Sequence, residues 1–467
     1  MGRNGWLLAG LLALGLVACG APTDVLESLP TLAPTIAAAE DPGAELRDSG
    51  RVACDALDGS ALNSGRLAVV CHDENIYVVD SGGGPPLAVT DDAVVSSATM
   101  VRQYHSPTWS AGGWLSYVMT EAEAETGTLK NVIYAVQPGG TPRQLLGTEA
   151  SNYIYGYWSP AECGRGPACG RFAFLMSAPD EVVELHVAEV RGDTEEVEEQ
   201  VLGEAGSLYY SWAPDGERML WFRGGTTLEV VDLSNLEDTT ILPDEPGVFQ
   251  APWWSPVDER WLFASAGESG DRLVIAEGDE RSDFIGDGAA LSAFAWSPDG
   301  RQLAYAEGFP PSPYPYATLS VHSDDGQDTI LLAAEPLLAF FWSPDSQKVA
   351  FVGLELGGPL VPEAGTSARD AAPARQQVLL EWKVADVTTG EVRELASFAP
   401  TRSQLYIIQF FDQFAQSHNV WSPDSSQIVY AEQQPGGAEI VNVIDVESVN
   451  ARPTLVGEGS LGVFSYD

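Results

Sequence analysis

The amino-acid sequence predicts an all-β protein, a single eight-bladed β-propeller closed by pairing of the C-terminal strand with the first blade. A WSPDG-like pentapeptide occurs in seven copies, and the two chain ends each carry part of an eighth. The spacings between copies are 49, 54, 42, 42, 46 and 79 residues, and a period of about 40–50 residues is typical of four-stranded propeller blades. The seven copies begin at Trp109, Trp158, Trp212, Trp254, Trp296, Trp342 and Trp421.

The copy at Trp296 shows how one repeat would form a blade. LSAFAW is an apolar strand that ends in this tryptophan, and RQLAYAE, TLSVHSDDG and TILLAA follow as three more strands. Pro298 has the φ angle that the second position of a tight turn needs, and Gly300 can adopt the left-handed conformation that ends the turn. Ser346 and Ser425 stand in the glycine position of two later copies. Those turns either differ in shape or carry about 1 kcal/mol of strain.

The chain ends predict how the ring closes. The C-terminal GSLGVFSYD has Phe464 in the tryptophan position, and SGRLAVV supplies at Gly65 to Val69 the strand that follows the turn in other copies. Pairing of these strands would remove an exposed sheet edge and complete the eighth blade. Seven blades is the alternative, if one degenerate repeat does not form a blade. The longest spacing predicts an extended blade with a disordered insertion at about 356–376.

Two repeats carry a family resemblance. WAPDGERMLWF (212–222) and WSPDGRQLAYA (296–306) resemble the TolB-type WD-like propeller repeat, which is shared with the propellers of prolyl oligopeptidases. The resemblance extends over roughly residues 60–467. It implies the fold and leaves the activity open, because one fold hosts many functions.

The N-terminus predicts export. MGRNGWLLAGLLALGLVACG has a basic start and an apolar core, and this core is shorter than the ~20 residues that span a membrane. LVACG resembles the bacterial lipobox, which implies that Cys19 is lipid-modified and anchors the protein. We therefore expect a signal peptide at 1–18, a flexible acidic and Pro/Ala-rich tether at 19–60 and the propeller at 61–467. The protein would be extracytoplasmic, on the cell surface or the periplasmic side of a bacterial membrane, which it contacts through the lipid only.

Four cysteines remain once Cys19 is assigned to the anchor. Cys163 and Cys169 lie in CGRGPAC, a loop that a disulfide could close, and Cys54 and Cys71 form the other couple. An exported protein favours disulfides, and the two pairs lack the repeated C-x-x-C spacing of zinc sites. No cofactor and no metal is predicted.

The formal charge is 23 − 67 = −44. Such a surface would repel nucleic acid and anionic lipid head groups, so nucleic-acid binding is excluded. The acidity favours a role in solubility or salt adaptation over a specific binding site.

Catalytic motifs are missing from the sequence. It has no G-x-S-x-G elbow, no room for a separate hydrolase domain, and no S-x-D-x-G-x-x-W box of the kind sialidases carry. His105 and His418 precede the tryptophans of their blades by four and three residues, which places both near the central channel. They could contribute to a metal site like those of propeller lyases, or they could be polar residues that line a wet channel; the second interpretation is favoured.

Aromatic residues suggest a ligand surface on the face opposite the WSPDG turns. Phe309, Tyr314 and Tyr316 lie in the proline-stiffened EGFPPSPYPY, and Tyr153 and Tyr155 lie at the strand entry YIYGYW. Aromatic side chains beside acidic groups suit a glycan or a peptide. The alternative is that they fill the gaps between blades.

The predicted function is therefore a non-enzymatic binding or scaffold protein at the cell envelope. Its loop face and channel mouth would take a protein or glycan ligand, and it would act as a monomer or as an accessory subunit of an envelope complex. The alternative is an enzyme that processes envelope or extracellular glycans or peptides at the channel mouth. A mouth filled by apolar side chains would count against the enzyme.

Overall fold

The fold is taken from a computed structural model. It describes residues 54–95, 97, 99–164, 168–179, 182–236, 239–247, 250–268, 271–289, 291–308, 316–323, 329–355, 379–448 and 450–467. Several sequence-based predictions lie outside these residues: the signal peptide, the lipidation of Cys19, most of the tether, the insertion at 356–376, and the residues Phe309 and Tyr314.

The described strands form an all-β propeller. They make seven hydrogen-bonded sheets, which we call blades 1 to 7. Blade 1 has six strands in the order β28-β29-β30-β1-β2-β3, and each other blade has four consecutive strands. Every paired strand is antiparallel to its neighbour. The strands of blade 1 are β1 (Arg66–Cys71), β2 (Ile76–Asp80), β3 (Leu87–Ala88), β28 (Gln427–Gln433), β29 (Glu439–Asp445) and β30 (Thr454–Phe464).

The remaining strands alternate with short turns along the chain. Blades 2 to 4 contain β4 (Met100–Trp109), β5 (Leu115–Glu123), β6 (Leu129–Val136), β7 (Arg143–Thr148), β8 (Asn152–Trp158), β9 (Gly170–Ala178), β10 (Val182–Val190), β11 (Val197–Ala205), β12 (Leu208–Trp212), β13 (Arg218–Arg223), β14 (Thr227–Asp232) and β15 (Thr239–Ile241). Blades 5 to 7 contain β16 (Trp253–Trp254), β17 (Arg260–Ala266), β18 (Asp271–Glu277), β19 (Glu280–Ala289), β20 (Leu291–Trp296), β21 (Gln302–Gly308), β22 (Thr318–Ser323), β23 (Thr329–Ala333), β24 (Leu337–Trp342), β25 (Lys348–Glu355), β26 (Leu379–Asp386) and β27 (Val392–Phe398).

The ring closes through β30, as predicted. The first part of this strand pairs with β29 (Ile440 opposite Glu458), and its last part pairs with β1 (Leu67 opposite Phe464). The prediction of eight blades is wrong. The described residues form seven sheets, which is the number that the alternative gave. The physical reason is that β30 runs unbroken for 11 residues. The last repeat and the closing strand therefore belong to one continuous sheet instead of two.

Residues 54–62, which we call the seam strap, cover this closure. They form two 3₁₀ turns, and Leu57 is buried directly over Gly457 of β30. The Asp58 amide donates to the Val456 carbonyl at 2.8 Å, and the Gln427 side chain donates to the Ala61 carbonyl at 3.0 Å. The packed domain therefore includes residues 54–60, which the sequence analysis assigned to the tether.

The tryptophans of the repeat fasten neighbouring blades together. In five of the joints between described blades, the indole Nε1 donates to the backbone carbonyl just before the equivalent aromatic residue of the preceding blade. The five bonds are Trp109 to Val463 (3.1 Å), Trp158 to Thr108 (3.0 Å), Trp212 to Tyr157 (3.4 Å), Trp342 to Ala295 (3.2 Å) and Trp421 to Phe341 (3.1 Å). The repeated tryptophan thus has a structural role, and the spacing of its copies reflects the length of each blade.

The serines at the glycine position of the turn are explained by a second bond between blades. Ser346 and Ser425 both have φ of +60°, so they share the left-handed conformation of Gly300 at +69°. The Asp299 amide donates to Ser346 Oγ at 3.1 Å, and the Asp345 amide donates to Ser425 Oγ at 3.0 Å. These turns carry the strain of a side chain at positive φ. The serine hydroxyl compensates, since it accepts a hydrogen bond from the turn of the preceding blade.

A pair of substitutions at Ser346 tests this compensation. We expect Ser346→Ala to lower the free energy of unfolding by about 1 kcal/mol, because it removes the hydrogen bond and keeps the strained Cβ. Ser346→Gly removes both the bond and the strain of ~1 kcal/mol, so it should be less destabilising. Urea denaturation of both variants measures the difference. Equal stability of the two variants would contradict the explanation.

Candidate functional site

The central channel is occupied by a segment that connects β27 to the last repeat. Residues 401–418, which we call the channel plug, contain helix α1 (Arg402–Gln409) and helix α2 (Phe411–Phe414). Thr401 caps α1, since its side chain accepts from the Gln404 amide and donates to the Ser460 carbonyl at 2.6 Å. The sequence analysis assigned this stretch only to a lengthened blade and did not predict a helix.

The plug packs against both sides of the ring. Ile407 and Phe414 belong to the apolar core that blades 1 to 4 contribute, and the Phe414 ring lies 6.1 Å from the ring of Tyr155. Ile408 and Phe411 belong to the core of blades 6, 7 and 1, and the Phe411 ring lies 5.0 Å from that of Phe340. Helical periodicity therefore directs two apolar faces to opposite walls of the channel.

The polar side chains inside the plug have partners. Gln404 Oε1 accepts from the Ala431 amide at 3.1 Å, and Gln413 Nε2 donates to the Tyr209 hydroxyl at 3.0 Å. Both glutamines are buried. Buried polar groups stabilise a structure only when they are hydrogen-bonded. These bonds fix the plug in one position.

The two histidines predicted near the channel lie there in different surroundings. His418 is buried in the plug, with Nδ1 2.8 Å from Ser417 Oγ, and burial lowers its pKa to about 3. His105 is half-buried on β4, with Nε2 2.9 Å from Thr120 Oγ1, and burial lowers its pKa to about 4. Both imidazoles are therefore neutral at pH 7. They share no hydrogen-bond partner among the described residues.

Both predicted disulfides are formed, Cys54–Cys71 and Cys163–Cys169. Among the described residues, the side chains close enough to share a metal ion form two groups, and each contains one of these pairs together with His72 or Glu189. A disulfide sulfur is not a thiolate, the form of cysteine that ligates metals. Neither group offers a set of metal ligands while its disulfide is intact.

The described aromatic candidates mostly pack between blades. Tyr155 is 1% exposed and stacks 5.5 Å from Tyr210, and Tyr316 is 9% exposed and lies edge-on against Phe411 at 5.9 Å. Tyr153 is half-buried, and burial raises its pKa. The structure therefore favours the packing alternative for Tyr155 and Tyr316, since neither presents its ring to solvent.

A group of carboxylates surrounds the N-terminal end of the plug. Asp73 and Glu74 lie in the β1–β2 turn, and Glu432 and Glu439 lie at the β28–β29 turn, where Glu432 pairs with Pro400 just before the plug. We call these four the rim carboxylates. Burial and the charges of Glu439 and Asp73 raise the pKa of Glu74 to about 7. This repulsion means that Glu74 lies close to Asp73 and to Glu439, although Glu439 is far away in the sequence. Arg402, at the start of the plug, also acts on Glu439, with the opposite charge.

A second charged group adjoins the rim carboxylates on β4. The Glu74 carbonyl accepts from the Tyr104 amide at 3.0 Å. Arg102 donates from Nε to Glu121 at 2.8 Å and also pairs with Asp92, which accepts from the Tyr104 hydroxyl. The guanidinium is thus held between two carboxylates, so this part of the mouth remains acidic. On the plug itself, Tyr406 is 38% exposed, and its ring lies 5.5 Å from that of Phe414.

Comparisons with known proteins add the following. No family model and no curated protein matches the chain. Among solved structures, TolB from Acinetobacter baumannii is 14% identical with a TM-score of 0.37, over 79% of this chain and 81% of that one. The β-propeller domain of the Trilobed protease from Pyrococcus furiosus is 14% identical with a TM-score of 0.46, over 77% and 96%. Oligogalacturonate lyase from Vibrio parahaemolyticus is 12% identical with a TM-score of 0.42, over 75% and 85%.

The strand topology of the chain defines it as a β-propeller protein. Likeness at these identities concerns the fold alone, and the activities of the similar proteins are their own. Within the described residues, no helix combines the length and apolar character needed to cross a membrane.

Proposed function

We propose that this protein is an extracytoplasmic, lipid-anchored β-propeller that binds a ligand at its mouth as a scaffold and does not transform it. The observation that carries the proposal is the plug. Apolar side chains and hydrogen-bonded polar groups fill the channel where an enzyme of this architecture would need an open pocket. Among the described residues, the mouth carries the half-buried rim carboxylates, the exposed Arg402 near Glu439, and the Tyr406 ring.

The rim favours a cationic protein segment as the ligand. Asp73 and Glu439 repel the charge of Glu74, so a Lys- or Arg-rich peptide would relieve this repulsion on binding. An aromatic ring such as that of Tyr406 adds a surface for the apolar stem or the cation of such a side chain. A neutral glycan would gain only the aromatic contact.

The position of the seam strap fits an anchor on the same face. Cys54 is bonded to Cys71, which directly precedes the β1–β2 turn that carries Asp73 and Glu74. The chain N-terminal to Cys54 therefore meets the propeller beside the mouth. If Cys19 carries a lipid, the ligand-binding face is the one tethered to the membrane.

Peptide binding to the full chain tests the proposed function. We expect a fluorescent Lys/Arg-rich peptide to bind more tightly at pH 8 than at pH 6, because Glu74, with its pKa of about 7, gains its charge in this interval. Glu74→Gln/Glu439→Gln should weaken binding at pH 8 about tenfold, the equivalent of ~1.4 kcal/mol. It should also remove most of the pH dependence.

The matched control is Glu195→Gln/Glu196→Gln, which removes two carboxylates that are exposed and distant from the rim. It should leave binding unchanged. Equal losses in both variants would mean that only net charge matters and would overturn the site. If the protein bound oligosaccharides but not peptides, the ligand would be a glycan. Turnover of either ligand would favour the enzyme. For the anchor, Cys19→Ser should release the protein from membranes, and unchanged retention would refute lipidation.

A further inference from the structure

The indole hydrogen bonds that join neighbouring blades are missing on both sides of blade 5 among the described residues. Trp254 Nε1 donates at 3.1 Å to the Asp258 carbonyl of its own turn, so it makes no indole bond to blade 4. Trp296 is 2% exposed, and its Nε1 has no hydrogen-bond partner among the described residues. The equivalent nitrogens at the five other joints all reach the preceding blade. A buried donor without a partner costs roughly 1–3 kcal/mol.

The innermost strand of blade 5 explains why these bonds are missing. β16 has two residues, whereas the innermost strands of blades 2, 3, 4, 6 and 7 have between five and ten. Pro252 directly precedes β16, and proline lacks the amide needed to extend a ladder. The carbonyl that Trp296 would need belongs to Trp253, at the very start of this short strand.

Among the described side chains, packing is also thinner at the joint between blades 5 and 6. Their shared core has six buried described members, against which Trp253, Ile275 and Tyr305 pack: Leu262, Ala264, Leu273, Phe294, Trp296 and Leu303. The core between blades 4 and 5 has twelve buried described members. Blades 4 and 5 also share a hydrogen bond from the Trp254 amide to Ser211 Oγ at 2.9 Å. The weaker side of blade 5 is therefore the side that faces blade 6.

A guanidinium bridges this joint at the turns. Arg260 of blade 5 lies over the Trp296 ring at 4.8 Å and donates from Nη2 to the Gly300 carbonyl at 2.9 Å. Arg260 lies at the surface, with 19% of its side chain exposed. Interactions of a partly hydrated guanidinium are weaker than those of a desolvated one.

The chain-closure seam is held much more strongly. Blade 1 is one sheet across the two chain ends. The seam strap covers it, the Cys54–Cys71 disulfide fixes the strap, and Arg66 pairs with Asp467 at 2.7 Å. A ring under thermal fluctuation opens where the free energy of opening is smallest.

We infer that the propeller ring opens between blades 5 and 6, and that the seam where its chain ends meet stays closed. Opening there separates Phe294 and Trp296 from Leu262 and Leu273. It also loosens β20, which lies against helix α2 of the plug. The joint is thus a lateral gate. When it opens, blade 6, whose strand β20 contacts helix α2 of the plug, becomes free to move.

Hydrogen exchange of the full chain, followed by mass spectrometry of peptides, tests the gate. We expect amides of β20 to exchange at least tenfold faster than those of β24 and of the 459–464 part of β30, which occupy the equivalent innermost position. Faster exchange in β30, or equal rates in all three strands, would overturn the inference.

A matched pair of substitutions gives a second readout. Trp342→Phe removes the indole bond to the Ala295 carbonyl, and it should accelerate exchange in β24 severalfold. Trp296→Phe removes the same group at the equivalent position, but its Nε1 has no partner, so exchange in β20 should change by less than twofold. Equal acceleration in both variants would mean that the joint between blades 5 and 6 is as well bonded as the others.

Discussion

Replacement of Phe411 by alanine is expected to lower the free energy of unfolding by about 3–5 kcal/mol, the usual range for a fully buried phenylalanine. Phe411 is 3% exposed and lies against Phe340, Phe341 and Tyr316, with ring separations of 5.0, 6.1 and 5.9 Å. The loss would combine the lost transfer free energy with the cavity left at the centre of the ring. Because Phe411 belongs to the core of blades 6, 7 and 1, the cavity would weaken the packing of the plug against this side of the ring.

Phe410 provides the control for this experiment. It is the preceding residue and is only partly buried, and its ring packs on Tyr406 at 5.1 Å. We expect Phe410→Ala to lower the free energy of unfolding by less than half as much as Phe411→Ala. Urea denaturation followed by tryptophan fluorescence measures both. Similar values for the two variants would show that the plug does not form the centre of the core.

The repeat made most of the fold predictable from the sequence. Each WSPDG copy is a local signal, and its tryptophan, proline and glycine have the same physical role in every blade. The cysteine pairs were predictable for a related reason, since their partners are only 17 and 6 residues apart. Closure through Phe464 also followed from matching the two chain ends to the same motif.

The plug was missed although the sequence contains a signal for it. Thr401 follows a proline as a helix cap, and Leu405, Ile408 and Phe411 repeat at helical spacing. The regular β repeat on both sides led to the assignment of this stretch to a lengthened blade, with no element of its own. The predicted number of blades was wrong for a different reason. The motif marks turns, and it does not show that β30 continues from one set of strands to the next.

The rim carboxylates could not have been predicted. Glu74 and Glu439 lie 365 positions apart in the sequence (439 − 74), and neither belongs to a motif. They meet only because the chain ends share one sheet, which brings the β1–β2 and β28–β29 turns to the same face. Burial raises the pKa of Glu74 most, and the closure adds the charge of Glu439. The candidate site therefore depends on contacts between residues that are distant in the sequence.

Removal of the Cys54–Cys71 disulfide should have the largest effect of any change at the seam. The bond closes a 17-residue span, and the loss of loop entropy from the unfolded chain predicts about 3 kcal/mol of stabilisation. We expect Cys54→Ser/Cys71→Ser to lower the free energy of unfolding by this amount. The strap residues should also lose protection from hydrogen exchange, since the disulfide fixes the strap that covers Gly457.

Cys163→Ser/Cys169→Ser is the matched variant, because it removes the same chemistry from a span of six residues. The same entropy relation gives about 2 kcal/mol for the shorter loop, and exchange at the strap should not change. If both variants had equal effects on strap exchange, the strap would not depend on its own disulfide. Loss of the first disulfide also weakens the seam without touching the joint between blades 5 and 6. If β20 still exchanges faster than β30 in that variant, the weakness of that joint is intrinsic and is not a consequence of the disulfide at the seam.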